Sequence, residues 1–165
     1  RARGTCMHRC LAFSTTLMLF LGMLSFGVSA SDAIRLNEAL RGDCTVAYWV
    51  FDAVHRKGED RSRVTEQSTL FVSDLCDLGE RVNIGVDGRT VLLDRKRGVV
   101  RKGLSGSALS YGGHGYALEL RIGGAIESFY DPDTECTEQW HSVTAVIRNG
   151  RRRRTVEGTL TGGCP

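Results

Sequence analysis

The side chains with which this chain could do chemistry are three histidines, His55, His114 and His141, one glycine-rich stretch, and two runs of cations. Histidine changes charge near neutral pH, so each could carry a proton or bind a metal. Neither role comes from a lone imidazole. Acid–base work needs a carboxylate within hydrogen-bonding reach, and Asp131 or Asp133 would have to converge on a histidine distant in sequence. No His-Glu-x-x-His pair is present, so no helix face offers two imidazoles to zinc. The histidines are therefore expected on strands and loops, with a small hydrolase using His114 or His141 as the catalytic alternative.

The stretch Gly103 to Gly115 reads Gly-Leu-Ser-Gly-Ser-Ala-Leu-Ser-Tyr-Gly-Gly-His-Gly. It lacks the lysine of a phosphate-binding loop and the glycine spacing of a dinucleotide fold, and Ser105 and Ser107 miss the spacing of a nucleophile elbow. What remains is a loop whose glycines let the backbone approach a ligand closely, with Tyr111, His114 and Tyr116 to supply aromatic and hydrogen-bonding contacts. Arg151, Arg152, Arg153 and Arg154 form an unbroken basic run, and Arg95, Lys96, Arg97, Arg101 and Lys102 form a second cluster. Strand side chains alternate between faces, so four consecutive arginines put two on each face. That places the run at a projecting hairpin tip. Its natural partner is anionic, either an acidic protein surface or an anionic envelope polymer.

The cysteines carry structure rather than chemistry. Six are present, and Cys44, Cys76, Cys136 and Cys164 lie after the apolar N-terminal run. No two of these four are closer than 28 residues, unlike the closely paired thiolates of zinc sites, so no metal and no cofactor is expected. Hairpin registers choose among the pairings. With a turn between Arg56 and Arg63, Cys44 faces position 75. With Asn149-Gly150 as a two-residue turn, Cys136 faces position 163. Two disulfides, Cys44 with Cys76 and Cys136 with Cys164, are therefore expected, each closing a loop of roughly 30 residues.

Disulfides presuppose an oxidising compartment. Met7-His8-Arg9 precedes an apolar run from Leu17 to Val28 that ends in Val28-Ser29-Ala30, the pattern of a signal peptide cleaved after Ala30. Arg1 to Cys6 lie upstream of the first methionine and are grouped with this leader. The domain organisation is then residues 1–30 as leader and 31–165 as one exported domain, periplasmic or secreted, with no membrane span after processing. The chain has 22 Lys and Arg against 19 Asp and Glu, but Arg1, Arg3 and Arg9 belong to the leader and no acid does. The mature domain is balanced in charge, which argues against nucleic acid as partner. Arg41-Gly42-Asp43 spells an adhesion tripeptide, but a glycine at a helix C-cap already explains its centre.

The elements that must hold these residues are mostly strands. Ser31-Asp32 caps a short helix over Ala33 to Arg41 that ends at Gly42. Thr45 to Arg56 is rich in β-branched and aromatic residues and reads as a strand, with Val64 to Val72 as its return. Val82, Ile84 and Val86 alternate up to Asp87-Gly88, a type I′ turn pair. Tyr116, Leu118, Leu120 and Ile122 alternate cleanly, Gly123-Gly124 turns the chain into Ala125 to Tyr130, and Val143, Ala145 and Ile147 lead to the Asn149-Gly150 turn. The class is mainly β, a small antiparallel barrel or two-sheet sandwich built from hairpins. The function expected is a noncatalytic binding module, an inhibitor or a toxin-neutralising protein, with a structural envelope protein as the rival.

Overall fold

The computed structural model describes residues 33–41, 47–75, 79–133 and 135–162. Residues 1–30, expected as a leader, and Cys44, Cys76 and Cys164 lie outside the described residues. Eight strands form a closed barrel in which every strand pairs antiparallel with its sequence neighbours and β1 pairs with β8. They are β1 (Tyr48–Phe51), β2 (Leu70–Ser73), β3 (Arg81–Val86), β4 (Arg89–Val99), β5 (Ala108–Gly113), β6 (Tyr116–Asp131), β7 (Cys136–Asn149) and β8 (Arg152–Gly162), with the one-turn helix α1 (Ser62–Thr65) between β1 and β2. The ring of pairings closes on itself, which makes the architecture a barrel rather than a sandwich.

Period-two alternation fills the interior. Leu118, Leu120 and Ile122 of β6, Val143, Ala145 and Ile147 of β7, and Val156 and Leu160 of β8 meet Val82, Ile84 and Val86 of β3 in one core. A smaller cluster lies on the outer face. Trp49 and Phe51 alternate outward from Val50, Trp140 alternates outward from His141, and both strands contribute to a layer with Leu70, Phe129 and Val64 of α1. The connection 52–69 crosses this face as a strap.

Four sequence expectations are corrected. Ala33 to Arg41 is extended, not helical, because tertiary hydrogen bonds replace those a helix would make: Asn37 N donates to Gly85 O (3.1 Å), Ala39 N to Leu70 O (2.8 Å), and Asp87 N to Arg35 O (2.9 Å). Its passage depends on Gly85, where an added Cβ would lie 1.9 Å from Asn37 O. The return strand begins at Leu70, since Val64 is drawn into α1 by the outer cluster. Its register is Val50 opposite Val72, displaced from the expected one. Gly123-Gly124 makes no turn: β6 continues, with register irregularities between Ile122 and Ala125 and between Ala125 and Glu127. An added Cβ on Gly123 would lie 2.2 Å from Ser142 Oγ, so a close neighbour, not a reversal, explains that glycine. Finally, Asn149 faces Arg152, which makes Gly150-Arg151 the central pair of the last turn. Gly150 has φ 57°, and glycine in the first central position is the pattern of a type II′ turn.

Cys136 is disulfide-bonded. Among the described residues, no helix is long and apolar enough to cross a membrane.

Candidate binding surface

In an up-and-down barrel the β3–β4, β5–β6 and β7–β8 turns all lie at one end. The first two are Asp87-Gly88 and His114-Gly115, each with positive φ at both residues (51° and 78°; 51° and 79°). The third is Gly150-Arg151. Tyr116 faces Asn149 across β6 and β7, so the histidine tip and the arginine tip are adjacent.

Asp87 organises this mouth. Its Oδ2 accepts from the Tyr116 hydroxyl at 2.7 Å and pairs with Arg152 at 2.9 Å, while Oδ1 accepts from the Arg35 N–H at 3.1 Å. The Tyr116 hydrogen bond holds its carboxyl below the ordinary range, helped by Arg35 and Arg152 against the opposing effect of burial. The Arg89 guanidinium sits 5.6 Å from the centre of the Tyr116 ring, and Arg154 donates to Ile34 O at 3.0 Å. Arg35, Asn37, Arg89 and Arg152 border an open cleft of about 790 Å³ here.

The four arginines divide by strand alternation. Arg152 and Arg154 turn toward the mouth and are half-buried in the contacts just described, whereas Arg151 and Arg153 are exposed. Among the described residues, neither Arg151 nor Arg153 has an ion-pair partner. His114 is exposed on its turn, and the Tyr116 ring is buried. Tyr111 does not join this surface. Its ring lies in the core at 1% exposure because the second half of the glycine-rich stretch is strand β5, with Tyr111 opposite the inward-facing Leu118. Burial pushes its hydroxyl up to about 12, against the pull of Arg95.

A second constellation was not anticipated from sequence. The side chain of His55, a residue of the strap, is fully buried and its Nε2 lies 3.1 Å from Glu127 Oε2. A carboxylate only accepts, so Nε2 carries the proton of this bond. The His55 and Trp140 ring centres are 4.5 Å apart, and Phe129 stands edge-on to Trp140 at 5.7 Å. Arg61 covers Phe129 at 4.3 Å and reaches Glu138 at 3.6 Å. His55 Nδ1 and Trp140 Nε1 are buried without hydrogen-bond partners among the described residues. The outward alternation of Trp49 and Phe51 was a signal for an outer layer, but nothing linked position 55 to position 127.

The three histidines occupy different places: His55 in the outer layer, His114 on a turn, and His141 lining the barrel interior with Nε2 3.4 Å from Gln139 Oε1. Burial lowers the His141 pKa, opposed by the backbone of Gly123. Among the described residues, no hydrogen bond joins His114 or His141 to a carboxylate, and no group of three or more His, Cys, Asp or Glu is placed to hold a metal ion. A scan of protein-family models found no match to this chain, and searches of curated proteins and of solved structures found none either.

Proposed function

We propose that this protein is an exported, noncatalytic binding module that recognises an anionic partner, a protein surface or an envelope polymer, through the turn-bearing mouth of the barrel. The observation that carries this reading is the division of the arginine run. Arg152 and Arg154 are anchored by Asp87 and by Ile34 O, which fixes the tip, and Arg151 and Arg153 are left exposed beside His114. A rigid scaffold that presents free guanidinium groups costs little ordering entropy when a partner binds. The two disulfides of the proposal, Cys44 with Cys76 and Cys136 with Cys164, would stiffen the opposite end.

The test is affinity capture from envelope and extracellular extracts with the oxidised domain from Ser31, compared with an Arg151→Ala/Arg153→Ala variant. Both changes are at exposed positions, so folding is preserved. A partner retained by the wild type and lost by the variant supports the reading. Equal retention, or none, overturns it.

A further inference from the structure

The second basic cluster lies on β4 and the β4–β5 connection, on a surface with a different shape from the mouth. Outward-facing positions of β5 are Ala108, Ser110 and Gly112, which are small, while their neighbours across the sheet are long: Arg97 and Glu119 flank Ser110, and Val99 and Arg121 flank Ala108. The sheet surface is therefore sunk along β5, giving an open trench of about 640 Å³. Its floor runs from Gly106 through Ala108 to Ser110, at most about 13 Å at the rise of an extended strand and room for about four residues of extended chain.

The charges left unpaired around the trench among the described residues are all positive. Lys96, the extra residue at the irregularity between Arg95 and Arg97, lays its side chain over Gly112, with Cε 3.4 Å from where a Cβ would stand. Arg101 lies over Gly106 at the other end. Among the described residues, Lys96, Arg97, Arg101 and Arg121 have no ion-pair partner, and Glu119 is paired to Arg148. Beside these cations stand Val99, 67% exposed, and Val100, 41% exposed. Solvated decoration explains unpaired cations but not two bare valines among them.

We infer that this trench docks an extended peptide segment of a protein partner in which acidic residues alternate with apolar ones. The acids meet Lys96, Arg97, Arg101 and Arg121, and the apolar side chains cover Val99 and the small floor of β5. A polyanion such as a sugar phosphate chain would satisfy the cations and leave the valines wet, so the mixed character of the surface favours peptide. This site is independent of the proposed role of the mouth.

The experiment is an amide NMR titration of the oxidised domain with a blocked Glu-Val-Glu-Val-Glu-Val peptide, its Gln-Val counterpart, and inorganic polyphosphate. Saturable shifts confined to β4, β5 and β6 are expected with the acidic peptide alone. Arg97→Glu and Arg121→Glu should each weaken binding at least about tenfold, the scale of replacing an attraction with a like-charge juxtaposition. Ala108→Trp fills the trench at an exposed position without changing charge and should abolish binding, whereas Arg151→Ala/Arg153→Ala should leave it unchanged. No saturable binding, equal affinity in Arg97→Glu or Ala108→Trp, or tighter polyphosphate binding at the same amides would each overturn the inference.

Discussion

His55 Nε2 and Glu127 Oε2 meet at 3.1 Å and tie the strap over residues 52–69 to β6. Glu127 also accepts from the Gly58 N–H at 3.3 Å, and these two bonds, His55 first, hold its carboxyl below the ordinary 4.5. A depressed folded pKa stabilises the native state above the unfolded value, and that contribution is lost as pH falls through the folded one. The strap should therefore loosen in acid before the barrel does. Hydrogen exchange of amides in the strap should rise below pH 4.5 while the β6–β7 ladder stays protected, and Glu127→Gln should show the faster strap exchange already at pH 6. A strap and ladder that open together at every pH would contradict this.

Removing the imidazole itself has a larger effect. His55→Ala leaves a cavity against Trp140 and removes one of the two bonds to the Glu127 carboxylate; the cavity should cost about 2–4 kcal/mol. Urea unfolding followed by tryptophan fluorescence measures it, and a loss well under 1 kcal/mol would show that the outer layer collapses onto the gap.

At the mouth, Tyr116→Phe deletes the donor that contributes most to the low pKa of Asp87. The carboxyl should move up toward its ordinary value of 3.8, read by carbon NMR titration of Asp87 in variant and wild type. Stability should fall by about 1.5–3 kcal/mol, the scale of a hydrogen bond to a charged group, with the loss greatest above pH 4 where the carboxylate is ionised.

The buried Tyr111 hydroxyl reports on the core from the alkaline side. With its folded pKa pushed up to about 12 from 10.0, the native state keeps a proton that the unfolded chain releases. Its contribution is intact below pH 10 and erodes as pH rises toward 12. An absorbance titration at phenolate wavelengths should show a delayed fraction that Tyr111→Phe removes.

Gly85→Ala tests the extended N-terminal segment. The new methyl would fall 1.9 Å from Asn37 O, so residues 33–41 must lift away. A loss of about 1–3 kcal/mol is expected for such overpacking, with proteolytic cleavage appearing in that segment first. An unchanged melting temperature would mean that β3 absorbs the shift.

The legible parts of this fold are those set by neighbours in sequence. Tyr116, Leu118, Leu120 and Ile122 alternate because one face of β6 is core, and Asp87-Gly88 turns because both residues accept positive φ. What escaped depends on residues far apart. The helical composition of residues 33–41 is overridden by bonds to Gly85 and Leu70, and the double glycine of β6 answers to Ser142 across the ladder. The arginine tip was legible as a tip, but which two guanidiniums are anchored depends on Asp87 and Ile34, more than sixty positions away. Tyr111 was read into a surface because its stretch is rich in glycine, whereas its parity with Leu118 turns it inward.

The barrel closes where Val50 meets Leu160, although β6, β7 and β8 are linked by tight local hairpins. Joining neighbours in a meander costs little chain entropy, whereas bringing the first strand to the last requires the whole intervening chain to be arranged. In a chain synthesised from its N-terminus, β1 emerges first and must wait for β8. Until then the aromatic residues Trp49 and Phe51 have no sheet to cover, so the interval before closure is when this protein is most open to association with the wrong chain.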